Sequence, residues 1–329
     1  MAVYTTLSDD DIRSFLTRYR IGELVSAHGI TEGIENTNYL LLLDEAGART
    51  RYILTVFEKR VDIAQLPFFM GLTSWLADRG VSCPRPVSGW NGGTIYDIKG
   101  KRAVIVRFIE GRNNPDITAP HCELVGRWMG RMHLAAEGFS MLRRNSMMLS
   151  EWHRLFHATR SQANMIDSGL EQLIQKELAY VERHWPSSLP AGIIHGDVFP
   201  DNVFFKQNNA SELILSGVID FYFACYDYWI YDVLIAMNAW CFDSNHQFVP
   251  EHARALCKGY QSIRPFTDTE KSAASVLARG AALRFLSTRS YDWVHHNSDA
   301  LVVPKDPKEY VQKLRFFQQF DGFDSLFGA

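Results

Sequence analysis

The chain has 329 residues, of which 47% are hydrophobic and 13% aromatic, and it carries a formal net charge of −3. This composition excludes a disordered chain and is sufficient for one large domain or two lobes with a buried core. Lysine and arginine are spread along the sequence without a basic block, which argues against nucleic acid as the main partner.

The five cysteines are odd in number, scattered, and never spaced Cys-x-x-Cys. This pattern argues against structural zinc and against a disulfide framework, and it favours a reducing compartment. The segment from Met1 to Asp11 turns acidic at once and lacks the apolar stretch of a signal peptide, and no later stretch approaches the length of a membrane helix. We therefore expect a cytoplasmic protein without a membrane partner, either a monomer or a homodimer.

The first hundred or so residues combine helices with strands. The predicted elements are, in chain order, a helix capped at Ser8, strands at 39–43 and 52–57, a helix at 63–79, and a hairpin formed by 94–98 and 102–109.

Beyond residue 115 the pattern becomes mainly helical. Helical periodicity occurs at 119–137, 149–163, 169–185, 228–242, 250–263, 268–289 and 307–319, with one β interruption at 203–221. We therefore predict an α+β fold with two lobes. Residues 1–107 form a small mixed lobe that binds nucleotide, and residues 108–329 form a larger helical lobe with the catalytic loop and the acceptor site. An active site between the lobes follows from this organisation.

The most informative motif begins with His195-Gly196-Asp197 and continues to Asn202, and Asp220 follows eighteen residues later at the end of an apolar run. This is the spacing of a kinase catalytic loop and its second metal ligand. Asp197 is predicted to accept the proton of the acceptor hydroxyl, and His195 to brace the loop. Asn202 and Asp220 offer oxygen ligands suited to magnesium. Ordinary turn residues are the alternative, but three positions match at once and the flanking segments resemble strands.

Asp232 lies twelve residues after Asp220. It either supports the catalytic loop from below or lies on a helix surface, and the sequence does not decide between the two. His133, within a helical segment, is interpreted as a packed structural residue.

Gly33, Asn36 and Asn38 lie at the entry to a strand. Glycine and small polar residues there can bring backbone amides close to phosphates, although turns commonly contain the same residues. On the next strand, Thr55 stands where kinases usually place the lysine that contacts the α- and β-phosphates. Three nearby cations could replace that lysine, or could simply be solvated strand-edge charges: Arg51, Lys59 and Arg60.

Three charged residues are candidates for the acceptor site. Asp227 follows the metal-binding aspartate and could contact an amine, while Arg284 and Arg289 could bind a carboxylate. A salt-bridged helix end is the alternative interpretation of either arginine.

With these motifs, the chain resembles the aminoglycoside-phosphotransferase-like kinases, which have a bilobal protein-kinase-like fold. The resemblance rests on His195 to Asn202, on Ile219-Asp220-Phe221, and on Asp232. Within that superfamily the chain is similar to the homoserine kinases that share the fold, through stretches between about residues 30 and 295. Thr55 belongs to that narrower pattern. The matching stretches are 32–39, 53–58, 220–225, 238–241, 282–286 and 291–293.

The resemblance implies ATP and magnesium as cofactors, and L-homoserine as the small-molecule substrate whose side-chain hydroxyl is phosphorylated on the way to threonine. It also implies that adenine is bound by backbone near Arg107 to Ile109. Other acceptors are alternatives: choline, ethanolamine, a methylthio-sugar, a hydroxylated amino acid or an aminoglycoside. Arg284 and Arg289 favour an acceptor with a carboxylate. A nucleotide-binding module without catalysis is a further alternative, which the intact Asp197, Asn202 and Asp220 disfavour.

Overall fold

The structure, a computed structural model, describes residues 4–31, 36–58, 62–114, 116–296 and 303–327. Contacts between residues divide the chain into two compact units. The N-terminal unit consists of Met1–Gly111 with Ser216–Tyr222, and the C-terminal unit of Arg112–Leu215 with Phe223–Ala329.

The N-terminal unit is built on a five-stranded antiparallel sheet with the strand order β1-β2-β3-β5-β4. Its elements are α1 (Asp9–Leu16), β1 (Glu23–Ile30), β2 (Thr37–Glu45), β3 (Ala48–Val56), α2 (Leu66–Asp78), β4 (Ile95–Ile98) and β5 (Lys101–Arg107).

One face of this sheet forms a hydrophobic core with α1. Leu41, Leu43 and Leu54 are fully buried on that face, together with Phe15 of α1. Successive side chains on a strand point to opposite faces, so Asn38 and Thr55 lie on the other face of the sheet. The strand register places these two residues side by side.

The C-terminal unit is mainly helical, with short strands. Its elements are α3 (Ala119–Ala135), α4 (Leu149–Thr159), α5 (Ala163–Ile166), α6 (Leu170–His184), β6 (Ala191–Ile194), β7 (Val203–Gln207), β9 (Cys225–Tyr228), α7 (Trp229–Trp240), α8 (Pro250–Gln261), α9 (Asp268–Val294), α10 (Lys308–Gln319) and α11 (Phe323–Phe327). β6 pairs with β9, and β7 pairs with β8 (Leu213–Val218), which runs from one unit into the other.

Two glycines bring α3 and α8 into close contact. A Cβ atom at Gly126 would lie 2.0 Å from the carbonyl oxygen of Leu256, and one at Gly259 would lie 2.0 Å from that of Glu123. Only glycine permits this approach of two backbones, so these positions fix the spacing of the two helices.

The 27-residue helix α9 begins with a capping box of Thr267 and Glu270. The Glu270 carboxylate is fully buried and also binds the guanidinium of Arg264, with an N–O distance of 2.9 Å. The start of α9 is therefore fixed by both backbone and side-chain contacts.

The predicted α+β class, with an antiparallel sheet followed by a mainly helical region, is confirmed. Each long periodic segment is a helix, within a few residues at most ends. The sequence did not predict β1, which consists largely of polar and small residues and forms by pairing with β2. Among the described residues, no helix is both long enough and apolar enough to cross a bilayer.

Candidate active site

The loop from His195 to Asn202 connects the short strands β6 and β7. It leaves the buried end of β6 through Gly196, whose φ is +75°. A side chain is strained in this left-handed conformation, and a Cβ atom at Gly196 would also lie 3.2 Å from the carbonyl oxygen of Phe223. The motif therefore needs glycine at this position.

The carboxylate of Asp232 supports this loop from α7. One oxygen accepts a hydrogen bond from the backbone N–H of His195 (2.9 Å), and the other accepts one from that of Gly196 (2.7 Å). Asp232 is fully buried, so of the two roles that the sequence allowed it, support of the loop is the one that the structure shows.

A buried histidine extends this contact to two other helices. His133 of α3 lies 3.0 Å from the Asp232 carboxylate through Nε2 and 2.9 Å from the Tyr260 hydroxyl through Nδ1. Burial opposes ionisation of Asp232, but the hydrogen bonds and charges of His133 and His195 outweigh it and lower the pKa of the carboxyl. A charged Asp232 is thus the form that the fold stabilises.

Asp197 and Asn202 are brought together within the loop. The side-chain amide of Asn202 donates to the backbone oxygen of Asp197 (3.0 Å) and to its carboxylate (3.2 Å). His195 Nδ1 accepts a hydrogen bond from the Asp197 N–H (3.2 Å), which braces the loop internally. Because the Asn202 amide nitrogen faces Asp197, its amide oxygen is the atom that could bind a cation.

Asp220 follows β8 and belongs to the N-terminal unit. Its φ is +66°, a conformation that is uncommon outside glycine and that often occurs at functional sites. Asn202 and Asp220 each carry oxygen donors of the kind that magnesium prefers, and their joint role as metal ligands stays a prediction from the sequence.

Two of the predicted nucleotide residues lie at the corner of the sheet where β2 begins and β3 ends. Asn36 Oδ1 accepts a hydrogen bond from the backbone N–H of Glu58 (3.2 Å), and Asn38 Oδ1 accepts one from the Thr55 hydroxyl (2.7 Å). Thr55 thus replaces the usual lysine with a neutral, hydrogen-bonded side chain. Gly33 lies outside the described residues.

A partly buried polar cluster that the sequence did not predict fixes the same corner. Glu58 accepts hydrogen bonds from the hydroxyls of Thr37 (2.8 Å) and Thr5 (2.6 Å) and forms an ion pair with Lys101. Burial opposes ionisation of Glu58, but these partners outweigh it and lower the pKa of the carboxyl. No local sequence signal reveals the cluster, because its members come from four separate segments.

The other nucleotide candidates lie at the end of β5. The backbone N–H of Arg107 donates to the carbonyl oxygen of Arg85 (2.9 Å), and the Ile109 side chain packs against Gly217. Arg51, a candidate replacement for the missing lysine, makes two contacts of 2.6 Å with Glu110. Lys59 and Arg60 lie outside the described residues.

Asp227 is buried on β9 in the C-terminal unit. Its carboxylate accepts hydrogen bonds from the Asn145 side chain (2.6 Å) and from the backbone N–H of Tyr228 (2.7 Å). Burial raises the pKa of Asp227, and the hydrogen bonds and the charge of Arg284 offset this only in part.

The two candidate arginines differ in their surroundings, although both are buried on α9. Arg289 forms an ion pair with Glu309 of α10, and Lys313 binds the same carboxylate at 2.5 Å. Arg284 lies against the rings of Phe223 and Phe285, with its guanidinium carbon 5.6 and 4.8 Å from their centroids. The charge of Arg289 is therefore paired within the chain with a carboxylate that it shares with Lys313.

Solved structures with the same fold span almost the whole chain. A microcompartment-associated aminopropanol kinase matches with a TM-score of 0.68 and 18% identity, covering 97% of this chain and 99% of that one. An amicoumacin kinase in complex with AMP-PNP and Ca2+ matches with a TM-score of 0.65 and 15% identity, covering 97% and 94%. At these identities the similarity establishes the fold alone.

Comparison with protein sequences finds relatives of much higher identity. Residues 26–266 match the model of the phosphotransferase enzyme family. A homoserine kinase of Paramagnetospirillum magneticum is 48% identical over 323 residues, which cover 98% of both chains. Another, from Xanthobacter autotrophicus, is 47% identical over 321 residues, covering 98% of this chain and 97% of the other. The chain therefore belongs to the phosphotransferase enzyme family and, within it, to the homoserine kinases.

Proposed function

We propose that this protein transfers the γ-phosphoryl group of ATP to the side-chain hydroxyl of L-homoserine, giving O-phospho-L-homoserine and ADP in the biosynthesis of threonine. The single observation that carries the proposal is the 48% identity to a homoserine kinase over 98% of both chains. The loop geometry supports it, because Asp197 and Asn202 have the spacing and mutual contacts of a kinase loop.

Asp197 is the proposed general base. Its carboxylate accepts the proton of the homoserine hydroxyl while the hydroxyl oxygen forms a bond to the γ-phosphorus. The bond from that phosphorus to the bridging oxygen breaks, and ADP leaves with the electron pair. The Asn202 amide orients the Asp197 carboxylate, and Asp232 fixes the backbone on which both residues stand.

Asn202 and Asp220 are the proposed ligands of magnesium. When bound, magnesium neutralises charge on the phosphate oxygens. Thr55 stands at the proposed position of the usual phosphate-contacting lysine, and its side chain is neutral.

We assign nucleotide binding to residues 1–107, with Gly33, Asn36 and Asn38 near the phosphates and the backbone from Arg107 to Ile109 near the base. The acceptor site belongs to residues 108–329, where Asp227 receives the ammonium group of homoserine. Arg284 is the proposed contact for the carboxylate. Arg289 was the other candidate, but its charge is already paired with Glu309.

We place the enzyme in the cytoplasm, as a monomer or homodimer without nucleic-acid or membrane partners. All five cysteines are free, as is usual in a reducing compartment. The net charge of −3 and the absence of a basic block in the sequence agree with a small-molecule substrate.

Replacement of Asp197 by Asn tests the chemistry. The amide cannot accept the proton, so we expect kcat with homoserine to fall by about 10²- to 10⁴-fold. The affinity for ATP should change by less than about threefold, because the proposed base acts on the acceptor. A coupled assay of ADP release measures the first quantity, and equilibrium titration with ATP measures the second.

The same assay decides the acceptor when it is run with homoserine, choline, ethanolamine, a methylthio-sugar and an aminoglycoside. Homoserine should give the highest kcat/KM. If the enzyme releases ADP no faster with homoserine than with water as the only acceptor, the proposed function is overturned.

A further inference from the structure

Three arginines lie at intervals of five residues on α9, and two of them, Arg284 and Arg289, are buried. Arg279 is paired with Glu177 of α6, and Arg289 is paired with Glu309 of α10. Arg284, only 3% exposed, differs from both. Within the described part of the chain, no carboxylate oxygen lies within 4.0 Å of its guanidinium. A buried guanidinium without a carboxylate is costly, and an anionic ligand would lower that cost.

The surroundings of Arg284 leave its donors available for an anion. The guanidinium lies against the rings of Phe223 and Phe285 and interacts with the hydroxyl of Tyr231. Aromatic rings stabilise the positive charge through their faces, but they do not accept the forked N–H hydrogen bonds of arginine as a carboxylate does.

Both phenylalanines also adjoin the catalytic loop. Phe285 packs on the ring of Phe199, with the centroids 5.0 Å apart, and the backbone N–H of Phe199 donates to the backbone carbonyl oxygen of Asp197 (2.8 Å). On the other side, the carbonyl oxygen of Phe223 adjoins Gly196. Arg284 is therefore held by residues that contact the loop directly before and after the proposed base.

A second polar group near Arg284 also lacks a partner. The hydroxyl of Tyr310 on α10 is fully buried and has no hydrogen-bond partner within the described residues. The ring of Tyr310 stacks on that of Phe285, which adjoins Arg284, with the centroids 5.3 Å apart, and charges of Arg289, Glu309, Asp197 and Arg284 act on the hydroxyl. A buried hydroxyl without a partner is unfavourable in the free protein, and a bound anion would satisfy it.

We propose that Arg284 and the Tyr310 hydroxyl bind the carboxylate of the acceptor, and that this contact selects amino acids over amino alcohols. This inference rests on the proposed function. A carboxylate supplies the missing partner of the guanidinium by accepting two charge-assisted hydrogen bonds from it. The carboxylate also accepts a hydrogen bond from the Tyr310 hydroxyl. An acceptor without a carboxylate leaves the buried guanidinium without a carboxylate contact and the buried hydroxyl without an acceptor, which gives the site strong discrimination.

The test compares L-homoserine with 3-aminopropan-1-ol, which is homoserine without its carboxylate. The wild-type enzyme should prefer homoserine in kcat/KM by a factor on the order of 10³. In Arg284→Met, kcat/KM for homoserine should fall by roughly 30- to 1,000-fold, and that for 3-aminopropan-1-ol should stay within about threefold. Arg284→Lys, which keeps the charge but loses the planar fork, should give an intermediate preference, and Tyr310→Phe a loss of about tenfold.

Arg279→Met is the matched control, because Arg279 is on the same helix but is paired with Glu177. It should keep the wild-type ratio between the two acceptors. Turnover of 3-aminopropan-1-ol also reports whether each variant is folded. If Arg284→Met is insoluble, Arg284→Lys and Tyr310→Phe decide, and an unchanged ratio in both overturns the inference.

Two other outcomes separate the inference from the proposed function. If Arg284→Met lowers turnover of both acceptors equally and raises KM for ATP, Arg284 contacts the transferred phosphate and the inference is wrong. If the wild-type enzyme does not phosphorylate homoserine but does phosphorylate an amino alcohol, the proposed function fails.

Discussion

Asp227 is a buried carboxyl whose pKa is raised by its burial. To bind an ammonium group strongly it must be ionised, and Asn145 and the Tyr228 amide stabilise the ionised form. A bound ammonium would add a further favourable charge. These properties are the ones expected of the ammonium contact that we propose.

Asp227→Asn should lower kcat/KM for homoserine by roughly 30- to 1,000-fold, because the ammonium loses its charged partner. The matched acceptor is 4-hydroxybutanoate, which is homoserine without its amine, and its kcat/KM should change by less than about threefold. Equal losses with both acceptors would show that Asp227 supports the fold and does not contact the ammonium.

The raised pKa of Asp227 also predicts a pH dependence. The protonated form cannot bind an ammonium ion, so kcat/KM for homoserine should rise with pH through a pKa above the usual value of 3.8 for aspartate. A pH profile of kcat/KM measures this limb. In Asp227→Asn the limb should be absent, and a profile identical to that of the wild type would contradict the assignment.

The sequence indicates the surroundings of some candidate residues better than those of others, for a physical reason. His195, Asp197 and Asn202 lie within one loop, and the sequence displays their spacing directly. Arg284 and Arg289 are both arginines of the same helix, and what distinguishes them is that Glu309 on α10 lies next to Arg289. The partner of a buried charge depends on tertiary packing, which one sequence does not display.

Helix α7 and the catalytic loop depend on each other through Asp232. Two backbone amides of the loop and the imidazole of His133 converge on this one carboxylate. The lowered pKa of Asp232 means that its stabilising contribution is present at neutral pH and is lost as the pH falls below the usual range of aspartate.

Asp232→Ala leaves two buried N–H groups without an acceptor. We expect it to lower the free energy of unfolding by about 3 kcal/mol, measured by urea denaturation, and to lower kcat as well. Asp232→Asn keeps one acceptor oxygen, so its free energy of unfolding and its kcat should both fall less than those of Asp232→Ala. Variants that lose neither stability nor kcat would show that the loop is positioned by other contacts.

The long periodic helices and most strands of the N-terminal sheet were predicted, whereas β1, β6 and β9 were not. Helices α3, α8 and α9 repeat apolar residues over many turns, so their burial is visible in the sequence. Strands β6 and β9 have four residues each and exist because they pair with one another. Such short strands carry too few residues for a periodic signal.

For the molecule as a whole, a buried ionic cluster joins three helices of the C-terminal unit. Glu309 of α10 binds Arg289 of α9 and Lys313 of α10, and Lys313 also donates to the carbonyl oxygen of Asn238 on α7 (2.6 Å). Burial opposes ionisation of Glu309, but the charges of Lys313 and Arg289 outweigh it and lower its pKa to about 2.

This cluster predicts how global stability depends on pH. A carboxyl whose pKa falls from 4.5 in the unfolded chain to about 2 in the fold contributes stability above pH 4.5, and the contribution disappears as the pH falls towards 2. Its size is on the order of 3 kcal/mol. Glu309→Gln should therefore be less stable than the wild type at pH 7, and the difference should shrink below pH 4.5. Urea denaturation at several pH values measures both quantities, and a difference that is constant with pH would contradict the prediction.

A chain of hydrogen bonds links the catalytic loop to the start of α9. It runs from the amides of His195 and Gly196 through Asp232, His133 and Tyr260 to Arg264, and ends at Glu270 in the capping box. Helix α9 also carries Arg284, so the proposed base and the proposed carboxylate contact share one polar support. Thermal motion of the loop and of the helix should therefore be correlated. The distance between the Asp197 carboxylate and the Arg284 guanidinium would then fluctuate less than the position of either group.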